Sequence, residues 1–159
     1  MAWSTSYIVP STLVSAIQAN GSRLQLDLTS TSTQLYVALF GTSVTPNVDT
    51  DPQAYGSAPW NTGECTGTNW PSGGVALSLT GAGLTHQTGG FLEFQAGNVS
   101  VANTTISTAV YGALIYAQAL SPQAVLCAVY FGGSGYTTSA TPFGITWPTG
   151  GIWTLELQP

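Results

Sequence analysis

Leu24-Gln25-Leu26-Asp27-Leu28, followed by Gln34-Leu35-Tyr36-Val37-Ala38-Leu39-Phe40, decides the fold class of this chain. In the first stretch leucines alternate with polar residues, the period of two that gives a strand one buried face. The second is almost wholly apolar, as in a strand covered more fully. Working outward, strand-like runs recur at 75–79, 91–94, 110–119, 124–131, 143–147 and 152–157. Turn signals separate nearly all of them: Gly73-Gly74, Gly89-Gly90, Ser121-Pro122, Gly132-Gly133 and Gly150-Gly151. Many short strands with Gly- and Pro-rich turns predict an all-β, single-domain β-sandwich, jelly-roll-like. Leu26, Leu39, Leu77, Leu114, Val129 and Ile152 are the expected core, taken as one face of successive strands.

Upstream of Leu24 the period differs. Pro10-Ser11-Thr12 offers a helix cap, Leu13 and Ile17 stand four apart, and Asn20-Gly21 is a stop signal. Residues 1–22 therefore read as an N-terminal arm and short helix, and 23–159 as the sandwich domain. The arm holds Trp3, Tyr7, Ile8 and Val9, too apolar for a solvated tail, and is expected to order on a neighbouring subunit. Between the strands, 41–74 is a long stretch with little strand pattern and four prolines. Thr50-Asp51-Pro52 predicts a short helical turn there, and Tyr55, Trp60 and Trp70 are expected to pin the stretch to the sandwich. Trp70-Pro71-Ser72-Gly73-Gly74-Val75 recurs as Trp147-Pro148-Thr149-Gly150-Gly151-Ile152, each time before an apolar run, and reads as a reused local turn.

Arg23 is the only basic side chain among 159 residues, against six carboxylates, for a net charge of −5. Charged residues make up 4% of the chain, where roughly 25% is usual. A free monomer keeps itself dispersed with mixed surface charge, so this composition fits a protein that spends its life in an assembly. One arginine cannot release the counterions that duplex DNA binding requires, and no nucleic-acid partner is expected. An anionic membrane is equally unsuited, and no apolar run is long enough to span a bilayer. The opening residues carry no basic segment followed by an apolar one, so no signal peptide is expected. Cys65 and Cys127 read as free thiols, and synthesis in a reducing cytoplasm follows.

Constellations for catalysis are missing. His86 is the only histidine, no Gly-x-Ser-x-Gly elbow occurs, and the glycine doublets precede strands rather than helices. His86 is expected to be a hydrogen-bonding loop residue, and no enzyme and no cofactor are expected. Asp49 and Asp51 after Asn47 could begin an irregular Ca²⁺ loop, with turn capping the simpler reading. Glu64 could pair with Arg23 or accept backbone bonds within the long stretch. Tyr36, Tyr116, Tyr130 and Trp153 fall inside strands and are expected in the core. Trp3, Trp60 and Trp70 are read as exposed anchors, and with Tyr7, Arg23 and Glu64 they form the candidate subunit-contact set.

The order of these segments carries a resemblance. Tyr36-Val37-Ala38-Leu39-Phe40, Thr45-Pro46, Tyr55-Gly56, Pro59-Trp60-Asn61-Thr62-Gly63-Glu64, Gly73-Gly74-Val75, Tyr111-Gly112-Ala113-Leu114-Ile115-Tyr116, Phe131-Gly132-Gly133 and Gly144-Ile145-Thr146-Trp147 follow one another over about residues 34 to 157. This arrangement is similar to a family of small virion structural proteins of tailed bacteriophages, especially those of actinobacteria. The resemblance implies a head decoration or minor capsid-like protein. It would be made in the host bacterial cytoplasm, bound to the major capsid protein on the outer surface of the head, and act as a homo-oligomer. Acidic character favours that outer face, since the inner one meets packaged DNA phosphates. A tail component and a carbohydrate-binding host-attachment module are the alternatives.

Overall fold

The structure is a computed structural model that describes residues 3–17, 26–28, 34–50, 52–79 and 83–156. Among these lie ten strands and one helix. They run β1 (Tyr7–Ile8), α1 (Pro10–Ile17), β2 (Leu35–Phe40), β3 (Val75–Ala76), β4 (Gly83–Gln87), β5 (Phe91–Gln95), β6 (Val99–Val110), β7 (Gly112–Ala117), β8 (Val125–Tyr130), β9 (Tyr136–Ile145) and β10 (Trp153–Glu156). A five-stranded sheet has the order β1-β8-β7-β2-β3. A three-stranded sheet, β10-β5-β4, and a two-stranded ribbon, β6-β9, supply the strands opposite it. All pairings are antiparallel, and β7–β8, β6–β9 and β5–β10 are nested one inside the next. That nesting is how a jelly roll wraps one long ribbon into a sandwich.

The inner core lies between the layers. Leu35, Val37 and Leu39 of β2 and Ala113, Ile115 and Ala117 of β7 meet Phe94, Ile106, Val110, Phe143 and Ile145 from the other strands. The alternate residues of the same two strands, Ala38, Phe40, Leu114 and Tyr116, belong to a separate outer core on the far side of the sheet. Burial on both faces is why residues 35–40 carry no polar alternation. Leu114 is therefore on the opposite face from Leu39, not beside it as the single-face reading supposes, while Val129 and Ile152 are only half-buried. In β8 the register slips between Ile115–Cys127 and Tyr116–Val125. This bulge lets the consecutive residues Leu126 and Cys127 both join the inner core.

Several expectations are corrected. Leu26 and Leu28 are half-buried against the inner core and Asp27 is exposed, so the alternation is real, but 26–28 forms no strand. Leu24 and Gln25 lie outside the described residues. A backbone bond from Leu84 to Leu28 is one contact this segment makes. Pro52 follows a turn at Val48–Asp49 instead of opening a helix, and Asp51 lies outside the described residues. His86 is an exposed residue of β4, not of a loop. The arm is part of the sandwich: β1 pairs with β8, and Val9 donates to the Leu126 carbonyl. The helix begins at Pro10, where a fixed φ suits the first turn. The buried Thr12 hydroxyl bonds the Val125 carbonyl and ties α1 to β8, rather than capping its own helix.

The repeated Trp-Pro-x-Gly-Gly is one local device used twice. Gly74 donates to Pro71 and Gly151 to Pro148, each at 2.9 Å. Both glycines have positive φ, and a Cβ would lie 1.9 Å from the Val37 carbonyl oxygen at Gly74 and 2.4 Å from that of Phe94 at Gly151. Each turn thus presses backbone against a neighbouring strand, which only glycine permits.

Candidate functional site

Among the described residues no second sheet lies over the outer face of the five-stranded sheet, and parts of the 41–74 stretch and the arm cover it. Trp60 packs edge-on against Phe40 and against Trp3, with centroids 5.2 and 5.5 Å apart. Gln53 sits among them, 1% exposed. Its side-chain oxygen accepts from Trp60 Nε1 at 3.0 Å and from the Tyr7 hydroxyl at 3.1 Å, while its Nε2 donates to the Asn47 carbonyl. Burial pushes the Tyr7 hydroxyl up to about 12. At the other end of the cover Glu64 accepts from the Tyr55 hydroxyl (2.9 Å), the Ser72 hydroxyl (2.8 Å) and the Gly73 amide (2.7 Å). Tyr55 stacks on Tyr116 at 4.5 Å, and the Tyr116 hydroxyl donates to the Gly73 carbonyl. Most of these bonds knit the 41–74 stretch to itself, while Tyr7 to Gln53 and Tyr116 to Gly73 tie it to the arm and to the sheet.

This geometry changes the candidate contact set. Trp3, Trp60 and Trp70 are 3%, 2% and 0% exposed, and a ring enclosed by its own chain offers no face to a neighbour. Trp70 is in the inner core, edge-on to Phe143 at 5.3 Å. The three tryptophans are corrected from exposed anchors to core residues: Trp3 and Trp60 cover the outer sheet face, and Trp70 fills space between the layers. Tyr7 is half-buried, and Glu64 is saturated by its own loop as one of the two sequence readings allows. The arm rests on its own sheet, not on a neighbour. Arg23 lies outside the described residues. Gln53 escapes sequence reasoning altogether, since nothing marks one glutamine in a polar stretch as a buried hub.

Both cysteines are free and buried. Burial, with the Glu64 charge adding to it, pushes the Cys65 thiol up to about 11, and burial raises Cys127 as well. Such thiols stay protonated near neutrality and behave as small apolar residues. Asn47 accepts from the Asp49 amide at 3.0 Å, the turn-capping arrangement. Among the described residues no three metal-ligating side chains cluster, and no helix is long and apolar enough to cross a membrane.

Among the described residues the β6–β9 ribbon is a long exposed element. None of the residues 99–110 and 136–145 is charged. Ser100, Asn103, Thr105, Ser107, Thr108, Thr137, Ser139 and Thr141 are exposed, a hydroxyl- and amide-bearing surface. Asn69 bonds the carbonyls of Ala102 and Asn103, and Thr68 bridges Thr105, so the long loop caps one edge of β6. Three register shifts and Pro142 interrupt the ladder. At the ribbon's base an apolar cleft of about 300 Å³ is lined by Phe131, Tyr136, Phe143, Ile145, Trp147 and Pro148. Trp147 is fixed there by bonds from its amide to Asn98 and from its indole to the Gly97 carbonyl, both 3.1 Å. Ribbon and cleft together form the candidate contact surface. Comparison with models of known protein families, with curated proteins and with solved structures finds no match.

Proposed function

We propose that this chain is a non-enzymatic structural protein of a bacteriophage virion, a decoration protein bound in many copies to the outer face of the head. Its partners are the major capsid protein and further copies of itself. The observation that carries the reading is the β6–β9 ribbon, long, exposed and without a single charge. Proteins that live free guard such strands with lysines and other charges that prevent edge-to-edge pairing. Here bulges, Pro142 and the loop at Thr68–Asn69 stand in place of charge, which suits a surface that is covered in its working state. A sandwich with two filled cores supplies the rigidity a shell component needs. The resemblance of residues 34 to 157 to phage virion proteins points the same way.

The test is to mix the purified protein with particles lacking it and count what co-sediments. Saturation at many copies per particle, weakened by Ser139→Lys and Thr141→Lys on the ribbon, is the expected result. A few copies at a single vertex would instead favour a tail component. No attachment at all would remove the virion reading. Deleting residues 1–10 is expected to unfold the protein, since that segment contributes Trp3 and β1 to its own sandwich.

A further inference from the structure

The outer face of the β4–β5–β10 sheet carries side chains that the contact surface does not use. The register sets Thr85, Glu93 and Thr154 in one row across the three strands, and Gln87, Phe91 and Glu156 in the next. The period of two puts them opposite Phe94 and Trp153, which pack towards the inner core. A shallow cleft of about 430 Å³ opens over these rows, lined by Gln87, Phe91, Glu93, Thr149, Gly150 and Thr154. That volume is within the roughly 300–1,000 Å³ typical of ligand sites.

Glu93 is the informative member. It is only 7% exposed, yet among the described residues Gln95 alone donates to its carboxylate, at Oε1. The side chain lines the cleft, where a carboxylate oxygen accepts from any hydroxyl donor that reaches it. Around it the hydrogen-bonding capacity is mixed. Gln87 gives one amide hydrogen to the Thr85 hydroxyl, which leaves, among the described residues, its second N–H to donate and its carbonyl oxygen to accept. Thr154 donates to the Gly150 carbonyl, leaving lone pairs on its hydroxyl oxygen. Thr149 adds a hydroxyl to the lining, and the half-buried Phe91 adds its ring.

We propose that this cleft binds a neutral sugar ring. Hydroxyls of the ring donate to Glu93 Oε2 and Gln87, Thr149 and Thr154 hold the remaining oxygens, and the apolar face of the sugar lies on Phe91. A cation would use the carboxylate but would gain nothing from the donors on Thr149 and Gln87, so the mixed inventory favours a polyol. This inference does not rest on the virion reading. A glycan site and a shell-contact site sit on different strands and fail separately.

The experiment is a ¹H–¹⁵N titration of the full chain with methyl α-pyranosides of glucose, galactose and mannose, and in parallel with tetramethylammonium chloride. Expected are saturable shifts at Gln87, Phe91, Glu93, Gly150 and Thr154 with at least one sugar. Glu93→Gln should weaken that binding about tenfold, the worth of one charge-assisted hydrogen bond. Should Glu93→Gln fold poorly, Phe91→Ala and Gln87→Ala make the same test from the rim. Shifts with the ammonium salt alone, shifts mapping away from the cleft, or no shifts with any sugar overturn the proposal. Glu93→Gln should still co-sediment with particles; loss of that attachment would make the cleft part of the shell contact and overturn it as well.

Discussion

The two faces of the five-stranded sheet solve one problem with different materials. Inside, other strands cover it and the contacts are largely aliphatic: Leu35, Val37, Leu39 and Ile115 against Ile106, Val110 and Ile145. Outside, irregular chain covers it, and there Gln53 joins the Trp60 and Tyr7 rings while Glu64 holds Tyr55, which stacks on Tyr116. A strand layer satisfies its backbone by pairing, so its side chains are free to be apolar. A loop cannot, and must spend polar side chains on holding itself together. The outer cover thus reaches the same burial by a denser mix of rings and hydrogen bonds.

The sharpest attempt to break this equivalence is Trp60→Ala, expected to cost about 3–5 kcal/mol, beside Leu39→Ala on the inner face at about 2–5 kcal/mol. Guanidinium unfolding should show one cooperative transition for both; a separate early transition in Trp60→Ala alone would mean the cover is a weaker appendage. Next, Glu64→Ala strands the Gly73 amide and two hydroxyls and should cost about 1.5–3 kcal/mol. Faster amide exchange confined to 55–74 would locate the loss in the cover. A finer contrast uses the indoles. Trp60 Nε1 bonds Gln53, whereas Trp70 Nε1 is buried without a partner. Trp60→Phe should therefore be the costlier of the two Phe substitutions by about 1 kcal/mol, read from denaturant midpoints.

The smallest effect at neutral pH comes from ionisation. Cys65 rises from 9.0 to about 11 on the inner side and Tyr7 from 10.0 to about 12 on the outer, both chiefly through burial. Above pH 9 the unfolded chain loses protons that the folded one keeps, so stability must fall as pH rises. Denaturant midpoints should be level up to about pH 9 and decline beyond it. Tyr7→Phe should soften the decline only above about pH 10, and Cys65→Ala from about pH 9. A midpoint that rises with alkalinity would contradict the burial of both groups.

The apolar strands were legible because period and composition agree: 34–40 and 124–131 each contain an observed strand, and 91–94 lies within one. The β6–β9 ribbon was not, apart from its end near Phe143. Its residues are Ser, Thr, Asn and Ala, most positions face solvent, and bulges break the period. β1 is two residues long, too short for any period to register. The candidate contact residues were chosen for being aromatic in a region without strand pattern. That criterion finds rings that need burial, but it cannot say whether their own chain or another supplies it. Glu93 was invisible for a related reason. Phe91-Leu92-Glu93-Phe94 reads as a strand with one polar position, and only the pairing with Thr85 and Thr154 shows what surrounds it.

The pairing of Tyr7 with Ala128 has a consequence for how the molecule is made. A ribosome delivers β1 and Trp3 long before it delivers β8, the strand β1 pairs with, or Gly112, whose lack of a side chain makes room for the Trp3 ring. Until then the first apolar residues wait unsheltered, and contacts of such sequence separation close slowly. The nascent chain is thus committed to a late, nearly simultaneous closure of its two layers. A chain halted before residue 125 should be a client for chaperones, and delivery of β8, not of β1, should set the moment at which the sandwich can close.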